Sequence, residues 1–508
     1  MTAPHATGAE EAEPLTLSSG KGRWVIAATV LGSGIAMLDA TVVGIALPSI
    51  NRTFHGNVGT LQWVVTGYSL TLAAFLLLGG SLGDRYGRKR IFSFGIAWFA
   101  IASAACGVAP TSLFLIVARI VQGVGGALLT PGSLAIIQAS FREEDRSRAI
   151  GAWSGLGGVA SAAGPLVGGY LLAVGSWRWV FFINLPVAAF VLVMTARHVP
   201  ETRDPSTAGK VDSTGAALAV LFLAGLTYGL IEGPTRGWTD PLVLGALVLA
   251  VVAGPAFLVL EHRRAHPMLP LDLFRSRQFT GANAVTFAVY GALGGALFLL
   301  PIELQLVAGY SPLESGLALL PLTVVMLLFS ARSGQLSARI GPRLQMSVGP
   351  VLVGAGLALL ARATDPGNYL TQVFPAVMVF AAGLAVTVAP LTATAMNAAP
   401  AEHSGIASAV NNTVARAAGL FAVAILPLLS GLTGAAALSP AEFSAGFRTA
   451  VYICAAASAA GGLLGVLMIR NPTRRPAAAP AECTFHCGVG GPPLRPVLVA
   501  APAGGRQR

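Results

Sequence analysis

Fourteen runs of about 20 mostly apolar residues, the length that spans a bilayer, occupy most of this chain, and they limit its fold more than any other feature. They lie at roughly 24–48, 61–82, 91–109, 112–137, 149–173, 179–196, 213–232, 241–260, 280–306, 313–333, 344–361, 371–396, 405–432 and 445–469. Hydrocarbon offers no water to satisfy open backbone groups, so only helices or closed barrels can cross it, and runs this long mean helices. Pro131, Pro165 and Pro390 inside the runs are compatible with that, because packed neighbours satisfy the freed groups. The composition agrees: 54% of residues are hydrophobic and 10% charged, too few charges to cover a water-facing surface on 508 residues. A net charge of +11 does not mark a nucleic-acid binder, because the basic residues are scattered between apolar runs rather than gathered in a patch. The first 22 residues carry Glu10, Glu11 and Glu13 and lack the basic segment of a signal peptide, so the first run is expected to be an uncleaved membrane helix.

The basic residues set the orientation. With the N-terminus inside, the inward segments hold 25 Lys and Arg and the outward loops five, with Arg119 and Arg416 left within spans. Both termini are therefore expected in the cytoplasm, the protein in the cytoplasmic membrane, and its positive face against anionic inner-leaflet lipid. A repeat runs through the chain: Gly80, Leu82, Arg85 and Gly87 after the second run recur as Gly334, Leu336, Arg339 and Gly341 after the tenth, each 254 residues later. Duplicated helical halves are a transporter architecture with the substrate site between them near the midplane. The expected fold is an all-α polytopic membrane protein. A cytoplasmic segment (1–23) precedes a six-helix bundle (24–196). A linker with two inserted helices (197–279) leads to a second six-helix bundle (280–469), and a disordered cytoplasmic tail (470–508) follows.

Three stretches carry chemistry. The loop Gly79-Gly-Ser-Leu-Gly-Asp-Arg-Tyr-Gly-Arg-Lys-Arg90 has glycines for a tight turn between antiparallel helices. Its Asp84 is placed to sit at a helix terminus or pair with a neighbouring Arg. A loop that only obeyed the positive-inside rule would need none of this spacing, so Gly80, Gly83, Asp84, Arg85, Gly87 and Arg88 are read as a gating loop. The fifth run carries Gly151, Gly155, Gly164, Pro165, Gly168 and Gly169; small residues four apart let helix backbones approach, and Pro165 permits a bend. In the thirteenth run Asn412 and Arg416 share a face, either lining a cavity or bonding neighbouring helices, and Asn411 lies beside them. The cysteines, Cys106, Cys454, Cys483 and Cys487, suggest no disulfide framework, and Cys483, His486 and Cys487 offer three ligands where structural zinc takes four. No metal and no cofactor are expected.

At these residues the chain resembles the major facilitator superfamily, whose loop after the second helix reads like Gly80–Arg90. Fourteen spans narrow the resemblance to the drug:proton antiporter group with two inserted central helices. Leu38-Asp-Ala-Thr-Val-Val-Gly-Ile-Ala-Leu-Pro48 is similar to that group's first-helix motif, though Gly44 stands where Asn is usual. Gln62-Trp-Val-Val-Thr-Gly-Tyr68, Arg119-Ile-Val-Gln-Gly-Val-Gly-Gly126 and Trp177-Arg-Trp-Val-Phe-Phe-Ile-Asn-Leu-Pro186 resemble its motifs in the second, fourth and sixth helices. The fifth-helix glycines resemble its antiporter motif, with Ala160 where Gly is usual; in the family this motif goes with export. The resemblance covers residues 24–469. It makes Gln62, Tyr68 and Gln122 candidates to line the cavity beside Asn412 and Arg416, and it implies a functional role for Asp39 and Arg119.

The expected function is proton-coupled efflux of amphipathic drugs or antibiotics by alternating access. Proton-coupled uptake is the alternative, because a fold fixes no direction. An ATP-driven pump is not expected, because none of the three lysines stands in a phosphate-binding Gly-x-x-x-x-Gly-Lys-Ser/Thr context, nor is an enzyme, because no His lies in a span and no His-Glu-x-x-His pair occurs. Proton coupling needs a buried titratable group, and the spans and their ends hold three acids, Asp39, Glu232 and Glu303. Glu232 and Glu303 fall near the outer interface. Asp39 lies deeper, at a depth it shares with Arg119, so the pair is the expected proton site; a static ion pair orienting helices is the competing reading. Expected partners are a small amphipathic substrate, protons and lipid, with no nucleic acid, and a monomer is the expected unit. The Arg-rich, Lys-poor composition fits a GC-rich bacterium.

Overall fold

The computed structural model describes residues 15–203, 212–264, 267–363, 368–399, 404–433 and 439–471. The possible metal cluster at Cys483–Cys487 and the tail from 472 onward lie outside the described residues. The described chain forms sixteen α-helices and no strand beyond one bridge between Leu15 and Phe141. The first half holds α1 (Gly20–Phe54), α2 (Val58–Tyr86), α3 (Arg88–Gly107), α4 (Ser112–Ser140), α5 (Glu143–Val174), α6 (Trp179–Phe182) and α7 (Asn184–His198). An inserted hairpin, α8 (Ser213–Arg236) and α9 (Pro241–Arg263), follows. The second half holds α10 (Arg277–Leu306), α11 (Pro312–Ala318), α12 (Leu320–Ile340), α13 (Pro342–Leu360), α14 (Phe374–Asn397), α15 (Ser404–Leu429) and α16 (Pro440–Met468). Among the described residues thirteen helices, counting joined segments as one, are long and apolar enough to cross a membrane. The remaining expected span falls on α5, whose 32 residues give about 48 Å at about 1.5 Å per residue; among the described residues its apolar stretch is Ala163–Val174.

Polar residues between the runs start the helices. Ser19, Asn57, Thr111 and Asp240 each accept a bond from a backbone N–H in the first turn of α1, α2, α4 and α9. Ser311 with Glu314 and Ser439 with Glu442 form capping boxes on α11 and α16. Three expected spans are interrupted, and each break shortly precedes a proline. α6 gives way to α7 at Ile183 before Pro186, α11 to α12 at Leu319 before Pro321, and a π turn at Tyr369–Val373 precedes Pro375. Proline removes the N–H that a continuous helix would use, so the backbone bends or widens there.

The two halves pack alike. In the first, α2 and α3 lie on α4, α1 lies on α5 and α7, and α3 on α7. In the second, α12 and α13 lie on α14, α10 lies on α15 and α16, and α13 on α16. The repeat seen in the α2–α3 turn therefore extends to the whole of both halves. The hairpin's α8 lies against α2 of the first half and α15 of the second, while α9 rests on α8 and leaves Val248, Val251, Val252, Leu258 and Val259 exposed for lipid.

The halves join at one end. A buried apolar cluster containing Leu47, Leu61, Phe181, Phe298 and Leu300 runs across both halves at the end bearing the α1–α2 turn. At the opposite end the cluster of Ile26, Phe92, Ile137 and Phe141 belongs to the first half alone. The described hydrogen bonds between the halves follow the same division. Gln62 Nε2 donates to Val423 O (2.8 Å) and Ala424 O (3.2 Å), and Gln305 Nε2 donates to Ile45 O (3.0 Å).

Candidate functional site

Asp39 sits in the middle of α1 with no exposed surface. Its Oδ2 pairs with Arg119 Nη1 of α4. Its Oδ1 accepts from Gln122 Nε2 and from Asn184 Nδ2, each at 3.0 Å. Arg119 and Gln122 lie three apart on one face of α4, so both reach the same carboxylate. The guanidinium is satisfied on its other sides: Nη1 donates to Gln122 Oε1 (2.7 Å), Nε donates to Val64 O (3.1 Å), and the group lies over the Tyr68 ring at 4.3 Å. Asn184 also donates to Ser103 Oγ (3.0 Å), which itself donates to Phe181 O (2.8 Å). The Cys106 thiol donates to Gln122 Oε1 at 3.6 Å. Side chains of α1, α3, α4 and α7, with the Tyr68 ring and Val64 carbonyl of α2 and the Phe181 carbonyl of α6, thus form one network around one carboxylate. Such networks hold a buried charge only while every member is paired.

The pair foreseen as Asp39 and Arg119 is thus in direct contact. Three members of its network, Asn184, Ser103 and Cys106, were not singled out from sequence. Asn184 lies inside the Trp177–Pro186 motif, and an Asn within a membrane run is the signal that marks it.

The sequence profile of the Major Facilitator Superfamily matches residues 29–423. This chain belongs to that superfamily. It is 37% identical over 384 residues to the multidrug resistance protein Stp of Mycobacterium tuberculosis, covering 75% of this chain and 71% of that one. It is 34% identical over 487 residues to the methylenomycin A resistance protein of Streptomyces coelicolor, covering 95% and 100%. It is 35% identical over 403 residues to the tetracenomycin C resistance and export protein of Streptomyces glaucescens, covering 79% and 74%. The fold is similar to the crystal structure of a bacterial homologue of the human lysosomal transporter Spinster in its inward-facing, unoccupied conformation. That likeness has a TM-score of 0.61 at 20% identity and covers 90% of this chain and all of that one. This major facilitator is a multi-pass membrane transport protein and not an enzyme.

Between the halves lies a cavity of about 200 Å³. Its walls are apolar, with Leu47 of α1, Val65 of α2, Phe298 of α10 and Val423 of α15; its polar points are Ser69 and Arg416. Of the residues expected to line it, only Arg416 does. Gln62 is bonded to the α15 backbone. Tyr68 donates to Ala36 O (3.3 Å) beneath Arg119, and Gln122 belongs to the Asp39 network. Asn412 is exposed, and its Nδ2 donates to Ser408 O one turn back on α15. The buried neighbour is Asn411, whose Nδ2 joins α15 to α10 through Asn283 Oδ1 (3.1 Å) and Thr286 Oγ1 (2.8 Å). A one-residue step on a helix turns a side chain by about 100°, which separates the two roles.

The residues read from sequence as a gating loop form the α2–α3 turn. Gly87 has φ +112°, a conformation glycine adopts without strain. Asp84 accepts from Arg88 Nε at 2.8 Å, and Arg85 lies over the ring of Tyr86. Methyl groups built on Gly80 and Gly83 would meet only ordinary contacts, Pro131 Cβ at 3.7 Å and Arg88 Cα at 4.0 Å, so packing in this conformation does not demand those two glycines. The turn is fastened by the end of α7 and the segment after it. Arg88 N donates to Thr202 O, Lys89 N to Glu201 Oε1 and Lys89 Nζ to Ala196 O, at 3.0, 3.1 and 3.0 Å. The second half repeats the device with different residues. Gly341 has φ +88°, and Arg343 donates through N to Asn471 Oδ1 (3.0 Å) and through Nη2 to Val466 O (2.9 Å).

On α5 the glycines do two jobs. Gly164 and Gly168 face α1 at Thr41 and Val42, whereas Gly169 faces Pro312 and Leu313 of α11 in the other half. The carbonyl of Pro165 lies against Gly316 of α11. The packing of Gly155 lies outside the described residues. Glu303 on α10, set aside from sequence as interfacial, is fully buried; its Oε1 accepts from Ser444 Oγ at 2.9 Å, and its Oε2 has no hydrogen-bond partner. Glu232 instead pairs with Arg236 and accepts from Trp63 Nε1, each at 2.8 Å.

Proposed function

We propose that this major facilitator exports amphipathic small molecules, drugs or antibiotics, in exchange for protons by alternating access. The Asp39 network carries the reading. It holds a titratable group in the first half of a membrane bundle, fully buried, against a guanidinium that remains protonated throughout. Burial opposes charge on a carboxylate and a neighbouring guanidinium favours it, and alternating access changes both spacing and wetting. Relatives whose names carry drug resistance and export support the outward direction. The excess of Lys and Arg on one side supports the cytoplasmic membrane with both termini inside. In that orientation the end joining the halves is the outer one and the conformation faces the cytoplasm.

The cycle follows from those contacts. Facing inward, Asp39 is ionised on Arg119 and the cavity takes substrate from the cytoplasm. After the outer contacts at Gln62 and Gln305 part, substrate leaves and Asp39 takes a proton from outside. The neutral carboxyl releases Arg119 to Gln122 Oε1, Val64 O and the Tyr68 ring, which already hold it. Return to the inward form delivers the proton inside. The gradient supplies the energy and no cofactor takes part. One chain holds the whole network and cavity, so a monomer is the working unit.

Everted vesicles energised to be acid inside test the reading. The wild type accumulates a fluorescent amphiphile inside them, and uptake symport does not. Asp39→Asn inserts and binds the amphiphile but loses pH-driven accumulation. A variant that still pumps with unchanged pH dependence removes Asp39 as the proton carrier.

A further inference from the structure

The cavity between the halves is electrically one-sided. Arg416 is the one charged residue in its lining, and among the described residues it has neither an ion pair nor a hydrogen bond. The acids of the spans are engaged elsewhere. Asp39 accepts from Arg119, Gln122 and Asn184, Glu232 pairs with Arg236, and Glu303 accepts from Ser444. An arginine does not shed its proton to escape burial. Arg416 is partly buried, so a guanidinium without a protein partner in a largely apolar wall is a charge that a ligand of opposite sign pairs. A cationic ligand would meet the same wall with no acid to receive it. Around the charge the lining is small or apolar: Gly44, Gly294 and Gly419 give room, and Leu47, Leu297 and Phe298 give surface.

We infer that the substrates are amphipathic organic anions, carboxylates or acidic phenols and enols, bound with the acidic oxygen on the Arg416 fork and the apolar body against Leu47, Leu297 and Phe298. The guanidinium's planar donors match a carboxylate in two parallel bonds, which a lysine would not reproduce. This rests on the export reading for its purpose but not for its test, because binding needs no gradient.

Purified full-length protein in detergent, titrated at pH 7.5 with three probes that share a fused two-ring body, decides it. The probes are 2-naphthoate, neutral 2-naphthamide and cationic 2-naphthylmethylammonium. Wild type binds them in that order. Arg416→Gln weakens naphthoate about tenfold or more, the value of one charged hydrogen bond, and leaves naphthamide within about twofold. Arg416→Lys keeps the charge and loses part of the naphthoate affinity, which separates charge from geometry, and its melting temperature reports that the fold survives. Equal naphthoate affinity in wild type and Arg416→Gln overturns the inference, as does a wild type that prefers the ammonium or binds none of the three. An altered pH dependence of transport with unaltered naphthoate binding also counts against it, and assigns Arg416 to the Asp39 cycle instead. Naphthoate binding that depends on Arg416, without accumulation in vesicles, sinks the export reading and leaves this one standing.

Discussion

Gly164→Ala adds one methyl group to α5, and the structure sets what it meets. The new Cβ would overlap Thr41 Oγ1 and stand 2.9 Å from Thr41 Cβ and 3.5 Å from Leu38 O. Thr41 cannot simply turn away, because its hydroxyl donates to Leu38 O at 2.9 Å within α1. Overpacking of this kind costs about 1–3 kcal/mol, and losing the hydroxyl bond about 0.5–1.5 kcal/mol more. Against that stands a gain of about 1 kcal/mol from replacing Gly by Ala in a helix. The net is a destabilisation of about 1–3 kcal/mol, placed two residues from Asp39. Thr41→Ala removes Oγ1 and leaves the 2.9 Å approach of the two Cβ atoms, which a shift of a few tenths of an ångström relieves. The double variant should therefore recover most of what Gly164→Ala loses. The assay is a four-way comparison of wild type, both single variants and the double by melting midpoint in detergent and by transport rate in vesicles. Midpoints serve as a rank order, because large membrane proteins unfold irreversibly. Gly164→Ala that melts and transports like wild type, or a double variant no better than Gly164→Ala, would refute a close α1–α5 contact at this position.

Two further outcomes follow from the turns. Asp84→Asn removes an ion pair that is partly exposed, so stability changes by less than about 1 kcal/mol; transport falls further than it changes in Ala338→Asp, because only the first turn has Asp84 bonded to Arg88. Glu201→Ala and Asn471→Ala each release a turn, at Lys89 and Arg343 respectively, and amide exchange at 87–91 and 341–345 should quicken only in the half that was altered.

Much of this was legible because lipid narrows the choices. Run length fixed the spans, and the shortage of intramembrane acids led to Asp39. The turn repeat was visible because glycine is required where φ is positive, at Gly87 and Gly341. The fastening of those turns was not. The turns recur 254 residues apart, whereas Glu201 and Asn471, like Ala196 and Val466, are 270 apart, and the two fasteners differ in chemistry. A search at one offset passes over them. Asn411 and Asn412 could not be told apart because helix rotation is uncertain by a residue when both neighbours are polar. The burial of Glu303 was not legible from its depth. Position along a helix measures distance from the bilayer face, but burial depends on which neighbours cover the side chain, here Ser444 on α16.

In the proposed cycle the proton on Asp39 and the substrate in the cavity must be coupled through an element both share, and α1 is that element. Asp39 points into the first half, while the adjacent Ala40, with Gly44 and Leu47 one and two turns on, lines the cavity. The same helix meets α5 at Thr41 and accepts the Gln305 bond from the second half at Ile45. Within ten residues, α1 touches the proton network, the α5 glycines, the cavity and the outer junction. Arg416, on α15, faces that cavity from the other half. A proton on Asp39 loosens α1 from α4, and an anion on Arg416 draws α15 toward whatever fills the space beside α1. Each ligand thus biases how α1 lies between the halves, and exchange requires only that the two biases oppose one another. The asymmetry of the halves, a paired charge on α1 in one and an unpaired charge on α15 in the other, gives the proposed proton and substrate separate sites that meet along α1.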